Sequence, residues 1–251
     1  MDDTQLLRYS RHILLTELGP DAQEKFAAAR VLVVGVGGLG NPAAHFLAAA
    51  GIGELTLCDA DRVDLTNLQR QILYATADIG QPKVDAAANR LEAVNPEVRV
   101  TRVAARVGAN QLAPLAAAAD VVLDCSDNFA TRHAVNRACV AAGTPLVSGA
   151  ALRFDGQIAV FDARDPANPC YHCLFGEGEE FEETRCATMG VFAPLVGIVG
   201  ATQAAEALKL LAPAGRSLAG RLLLIDALTM EWRELRVVKD PACPVCAKAA
   251  A

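Results

Sequence analysis

Three groups of residues in this 251-residue chain have types and spacings that suit chemistry. The first is Gly35-Val36-Gly37-Gly38-Leu39-Gly40, in which Gly35, Gly37 and Gly40 take the G-x-G-x-x-G spacing. In that pattern the first glycine permits a tight turn, the second lets backbone approach a phosphate, and the third lets a helix lie close on a strand. Asp59 stands where an acid accepting from a ribose hydroxyl is expected, about 20 residues on. The second group is polar: Asp61, Asp64, Thr66, Asn67, Gln69, Arg70 and Gln71 crowd one stretch, Lys83 opens the next helix, and Asp124-Cys125-Ser126-Asp127-Asn128 follows a later strand. The third is Cys170-x-x-Cys173 with Cys243-x-x-Cys246, two pairs separated by 69 residues. Four soft thiolates suit one closed, tetrahedral structural zinc, and Pro169, Pro241 and Pro244 suit tight knuckle turns.

The other cysteines divide on their surroundings. Cys58, Cys125 and Cys139 fall in strands, at strand ends or in a helix, where a thiol acts as a small buried hydrophobe. Cys186 sits where the acidic run Gly176–Arg185 meets an apolar stretch; it is a candidate nucleophile whose acidic neighbours would raise its pKa. His172, inside the first pair, is read as a bystander to the zinc.

These groups need a frame. Val31–Val34 reads as a strand running into the glycine turn, Asn41-Pro42 opens a helix ending near Gly51, and Glu54–Cys58 reads as the next strand, ending on Asp59. A helix from Gly80-Gln81-Pro82-Lys83 to Val94 follows, with Pro82 suited to its first turn. Strands at Val98–Val103, Val121–Leu123 and Pro145–Ser148 alternate with helices at Asn110–Ala118 and Phe129–Ala142, giving five strand–helix units and a doubly wound parallel sheet. Beyond Gly149 the alternation stops. Gln157–Phe161, Arg221–Ile225 and Glu231–Val238 look like antiparallel strands that extend the sheet, with Met189–Leu211 a helix between them. The expected fold class is therefore α/β, a Rossmann-like doubly wound sheet extended by antiparallel strands, with a four-cysteine zinc knuckle. As domains, residues 1–30 form a helical arm, 31–150 a nucleotide-binding region and 151–251 the extension with the zinc site, in one continuous domain. Within the arm, Gly19-Pro20 breaks a helical run and Asp21 can cap a second helix reaching Ala29. The acidic run Gly176–Arg185 reads as a mobile loop.

Composition narrows the classes. Hydrophobic residues make up 53% but aromatics only 5%, so a sizeable core must be built from Ala, Val and Leu. A net charge of −6 and a pI near 5.3 argue against general binding of nucleic acid or anionic membrane. Met1-Asp2-Asp3 lacks the basic and apolar regions of a secretory leader, so a cytoplasmic location is expected. Cys186–Ala205 carries no charge, but Gly190, Pro194, Gly197, Gly200 and Gln203 make it a buried helix rather than a membrane span.

Taken in order, Arg8-Tyr9-Ser10-Arg11, GVGGLG, Asp59-Ala60-Asp61, Asn67–Gln71, Gly80–Lys83, Asp124–Asn128, Gly149-Ala150-Ala151 and the two cysteine pairs resemble the HesA/MoeB/ThiF family, relatives of ubiquitin-activating enzymes, over nearly the whole chain. The resemblance implies ATP, with magnesium, and a protein substrate: a small ubiquitin-like sulfur carrier ending in Gly-Gly, whose carboxylate attacks the ATP α-phosphate. It implies that Arg70 and Lys83 hold phosphates, that Arg11 reaches a neighbouring subunit's site in a homodimer, that Asp127 holds magnesium and that Asp59 takes the ribose. Gly38, Thr66, Asn67, Leu68, Gln69 and Asn128 complete the implied nucleotide contacts, with Thr66 where relatives often carry Ser. Cys186 matches the position where sulfur-transferring relatives carry a cysteine, which brings in a sulfur donor protein as a further partner. The glycine motif and Asp59 alone would also permit an NAD-type oxidoreductase, or a scaffold that binds nucleotide without chemistry. Neither gives Arg70, Lys83, Asp127 and the cysteine pairs a role.

Overall fold

The computed structural model describes residues 1–177 and 189–247. Its sheet runs β3-β2-β1-β4-β5-β6-β7-β8. Strands β1 (Arg30–Val34), β2 (Glu54–Cys58), β3 (Arg99–Val103), β4 (Val121–Asp124) and β5 (Leu146–Leu152) pair in parallel. Strands β6 (Asp155–Phe161), β7 (Arg221–Asp226) and β8 (Glu231–Arg236) continue the sheet antiparallel.

Both faces of the parallel part are covered, which is why β1 and β4 read as unbroken apolar runs rather than alternating ones. Val31 and Val33 face a core shared with α4 (Gly40–Ala49), α5 (Lys83–Val94) and α9 (Ala193–Leu211), the short α8 (Tyr171–Leu174) preceding it at the first cysteine pair. Leu32 and Val34 face a second core with α6 (Ala109–Ala118) and α7 (Phe129–Ala142). Chain order and strand order reverse between β1 and β4, and that switch point is where such sheets open a crevice at the carboxyl ends of their strands.

The N-terminal residues form α1 (Asp3–Arg8), α2 (Ser10–Ile13) and α3 (Gly19–Ala28). The expected first helix is broken at Tyr9, which is buried; its hydroxyl donates to Glu97 Oε2 at 3.0 Å and accepts from Asn95 Nδ2 at 2.9 Å. A tertiary anchor overrides the local helical pattern there. Asp21 does not cap α3. Gly19 turns the chain at φ +67°, Leu18 takes the cap position, and Asp21 lies in the first turn, where a carboxylate still favours the helix dipole.

Three other boundaries differ from expectation. Pro82 sits at the cap before α5 rather than in its first turn. Strand β5 runs on to Leu152 and returns as β6 through a hairpin, so the fifth strand leads to an antiparallel partner and not to a helix. Helix α9 begins at Ala193, because Val191 bridges to Arg153 and Pro194 suits a first turn. Residues 178–185 of the acidic run, and Cys186, lie outside the described residues. Among the described residues no helix is long and apolar enough to cross a membrane.

Candidate nucleotide site and metal knuckle

Strand β1 delivers the chain into the glycine turn at the switch point. Gly35 adopts φ +91°, and a Cβ there would lie 2.7 Å from the Cys125 carbonyl oxygen. Gly40 is tighter still: a Cβ would sit 2.0 Å from the Gly35 carbonyl oxygen, so the start of α4 can approach the end of β1 only with glycine. Asp59, at the end of β2, holds this turn in place. Its Oδ2 accepts from the Val36 amide at 2.8 Å and its Oδ1 from the Asp61 amide at 2.8 Å, and a carboxylate retains acceptor capacity beyond those two bonds.

The cleft that opens here has a volume of about 270 Å³. Gly38, Asp59, Asn67, Arg70, Lys83, Asp127 and Asn128 all line it. Lys83 is 6% exposed, and its Nζ meets Asp61 Oδ2 at 2.9 Å. Arg70 is held by its Nη1 on the Thr66 carbonyl oxygen at 3.0 Å. Asn128 caps α7, accepting from the Thr131 amide at 2.9 Å, while Asp127 beside it is exposed to the cleft. Beneath this loop Asp124 is fully buried, accepting from Ser126 Oγ at 2.6 Å and Ser148 Oγ at 3.1 Å. Gln203 of α9 donates to the Asp124 carbonyl oxygen at 2.8 Å. Acidic chemistry is thus presented on a loop whose backbone is fixed from below.

Other sequence-derived candidates fall elsewhere. Asp64 caps the turn that carries Thr66, its Oδ1 accepting from the Thr66 hydroxyl at 2.6 Å, which holds the Asp64 carboxyl below the usual range. Leu68 packs on the core and Gln69 is exposed; neither lines the cleft. Arg11 is exposed on α2, apart from the cleft lining. The cleft also contains residues outside the candidate set. Arg106 follows β3, and the position of a basic residue just past a parallel strand was the available signal. Gln71 is 3% exposed and its Oε1 has no partner in the protein, an acceptor left at the cleft wall.

The four cysteines of the two pairs meet, with every Sγ within 4.8 Å of the others. Cys170–Cys243 is 3.7 Å, Cys173–Cys246 3.5 Å and Cys170–Cys173 4.0 Å. Disulfide sulfurs lie about 2.05 Å apart, whereas a tetrahedron with zinc–sulfur bonds of about 2.3 Å has edges of about 3.8 Å. The donor set and its spacing therefore fit zinc. Asn136 of α7 braces it, donating from Nδ2 toward Cys170 Sγ at 3.6 Å and accepting from the Tyr171 amide at 2.9 Å. Cys58, Cys125 and Cys139 are buried as expected; burial, aided by Asp59, pushes the Cys58 thiol up to about 12, and burial raises the other two as well.

The model of the ThiF family matches residues 9–245. The chain belongs to this family. Among its ThiF-family relatives, the molybdopterin-synthase adenylyltransferase of Escherichia coli K12 is 47% identical, the match covering 98% of each chain. The sulfur carrier protein ThiS adenylyltransferase of the same organism is 45% identical, over 98% of this chain and 97% of that protein. The crystal structure of E. coli MccB with ATP superposes with a TM-score of 0.78 at 26% identity, over 90% of this chain and 69% of that one.

Proposed function

We propose that this ThiF-family chain is an ATP-dependent adenylyltransferase that activates the C-terminal glycine carboxylate of a small ubiquitin-like sulfur carrier, for later conversion to a thiocarboxylate. The observation that carries the reading is the cleft itself, where Arg70, Lys83, Arg106 and Asp127 line one cavity together with the glycine turn. The relatives named for molybdopterin synthase and for ThiS support the same chemistry and divide on the pathway, molybdopterin or thiamine type.

The physical demands match these residues. A terminal carboxyl, with a pKa of about 3.3–3.7, is ionised at neutral pH and attacks the α-phosphate without a general base. The barrier lies in bringing anions together and in charge developing on departing pyrophosphate, which fixed cations lower. The glycine turn offers backbone to the phosphates, Arg70 and Lys83 offset their charge, Asp59 takes the ribose, and Gly38, Asn67 and Asn128, which line the same cleft, complete the nucleotide contacts, whereas Thr66, Leu68 and Gln69 stand outside it. Asp127 is the residue that would hold magnesium, whose contribution when bound is charge neutralisation on phosphate oxygens. Zinc at the cysteine knuckle is structural. An NAD-type oxidoreductase would leave three cations and Asp127 without work.

Arg11, exposed and apart from its own cleft, supports a symmetric homodimer in which it serves the partner's site. A donor set of four thiolates suits a reducing, cytoplasmic setting. We further assign Cys186 to sulfur transfer, with the sulfur coming from a donor protein. The deciding experiment is exchange of labelled pyrophosphate into ATP with magnesium and a Gly-Gly-ending carrier. Carrier-dependent exchange is expected; its absence with every such carrier offered would overturn the reading.

A further inference from the structure

We infer that His133, His172 and Glu177 form a second metal site, separate from the cysteine knuckle, for a zinc-like divalent cation. One ligand atom from each of the three lies within 4.8 Å of the others. The two imidazole rings meet edge-on at 5.7 Å between centroids, and His133 Nδ1 is 3.6 Å from Glu177 Oε1. His172 therefore joins this group although it sits between two knuckle cysteines. His133 is 6% exposed, and the Nδ1 atoms of both histidines are buried without a hydrogen-bond partner.

A buried polar nitrogen is costly to leave without a partner, so two such imidazoles gathered with one carboxylate call for a ligand among them. Two imidazoles and a carboxylate, with a position left for water, are a donor set that zinc takes. The surroundings fit ligation. Carboxylates that bind metal are themselves held by an outer hydrogen bond, and Arg137 pairs with Glu177. The Tyr171 ring meets His133 edge-on at 5.2 Å and fixes its orientation. The imidazoles are neutral ligands and Arg137 offsets the Glu177 charge, so this site binds its cation less tightly than four thiolates do. A metal here ties α7 to the knuckle and to residue 177.

The test uses the whole chain, free of any affinity tag and carrying one equivalent of zinc so that the tighter cysteine knuckle alone is filled, titrated with cobalt(II). Cobalt at this site should give ligand-field absorption with no thiolate charge-transfer band, saturating at about one equivalent and reversed by added zinc. His133→Gln and His172→Gln should each abolish that absorption, and Glu177→Gln should weaken binding at least about tenfold. Thermal melts confirm folding, and if His133→Gln does not fold, His172→Gln decides. No ligand-field band in the wild type, or one unchanged in a folded histidine variant, overturns the inference. A thiolate charge-transfer band would instead report cobalt in the cysteine knuckle, which keeps the two sites distinguishable.

Discussion

The nucleotide cleft and the cysteine knuckle are held in opposite ways. The cleft is assembled from the carboxyl ends of neighbouring parallel strands, and its loops are tied down by hydrogen bonds within the fold: Asp59 on the Val36 amide, Asp124 under Ser126, Gln203 on the Asp124 carbonyl. The knuckle joins the chain after β6 to the chain after β8 through four sulfurs and, among the described residues, has Val140 and Val245 as partly buried apolar neighbours. A charge at the cleft rim can be deleted without moving its scaffold, whereas a sulfur deleted from the knuckle removes the scaffold itself. Function and stability should separate accordingly.

The largest effect is expected at the cleft. Asp127→Ala and Arg70→Ala should each lower pyrophosphate exchange by about 10²–10³-fold, the usual cost of one preorganised charge contact. Their melting temperatures should stay within about 2 °C of wild type, since a surface substitution changes stability by roughly 0.5 kcal/mol or less. Exchange persisting at the wild-type rate in both variants would remove the site assignment.

The knuckle should show the converse. Cys243→Ser, or chelation of the metal, should lower the melting temperature by about 5 °C or more, because metal-binding energy there is folding energy. Exchange at 25 °C should fall by less than about tenfold. Metal analysis of protein purified without chelator should find zinc, and finding none would refute the reading. A gentler measurement bears on the arm. If Arg11 serves the partner's cleft, equal mixing of Arg11→Ala and Asp127→Ala chains should restore about a quarter of wild-type exchange, since half the dimers are mixed and each has one intact site. No recovery despite demonstrated mixing would confine Arg11 to its own chain.

The same contrast explains what the sequence disclosed. Strand β2 and helix α7 have the boundaries their local patterns imply, and Asp59, Arg70, Lys83 and Asp127 meet in one cleft because each stands where a parallel strand or its loop ends. The sulfur spacing announced the knuckle without any knowledge of the path between the pairs. What stayed hidden depends on contacts between distant segments. Tyr9 breaks a helical run only because Asn95 and Glu97 come to meet it, and β5 outruns its first apolar residues only because β6 pairs with it as far as Asp155. Arg106 looks like any surface arginine until β3 places it over the switch point. His172 offered a weaker signal still, since its partner His133 lies on another helix.

The smallest expected effect concerns Cys186, and it tests whether the two chemistries divide as the two regions do. Adenylation needs an ionised carboxylate and fixed cations but no thiol, so Cys186→Ala should leave pyrophosphate exchange at the wild-type rate. Sulfur transfer is different: a thiolate at this position would attack the acyl-adenylate and displace AMP to give a thioester, whereas a persulfide would displace AMP to give an acyl disulfide, from which a second thiol releases the thiocarboxylate and is left in a disulfide with Cys186. The neighbouring acids Glu179, Glu180, Glu182 and Glu183 disfavour the thiolate, and Arg185 is the adjacent cation that would offset them. With carrier, ATP and a persulfide donor, mass spectrometry should therefore find Cys186 persulfidated or linked to the carrier. Thiocarboxylate formed by Cys186→Ala at the wild-type rate would make the residue a bystander and the donor protein the direct source of sulfur.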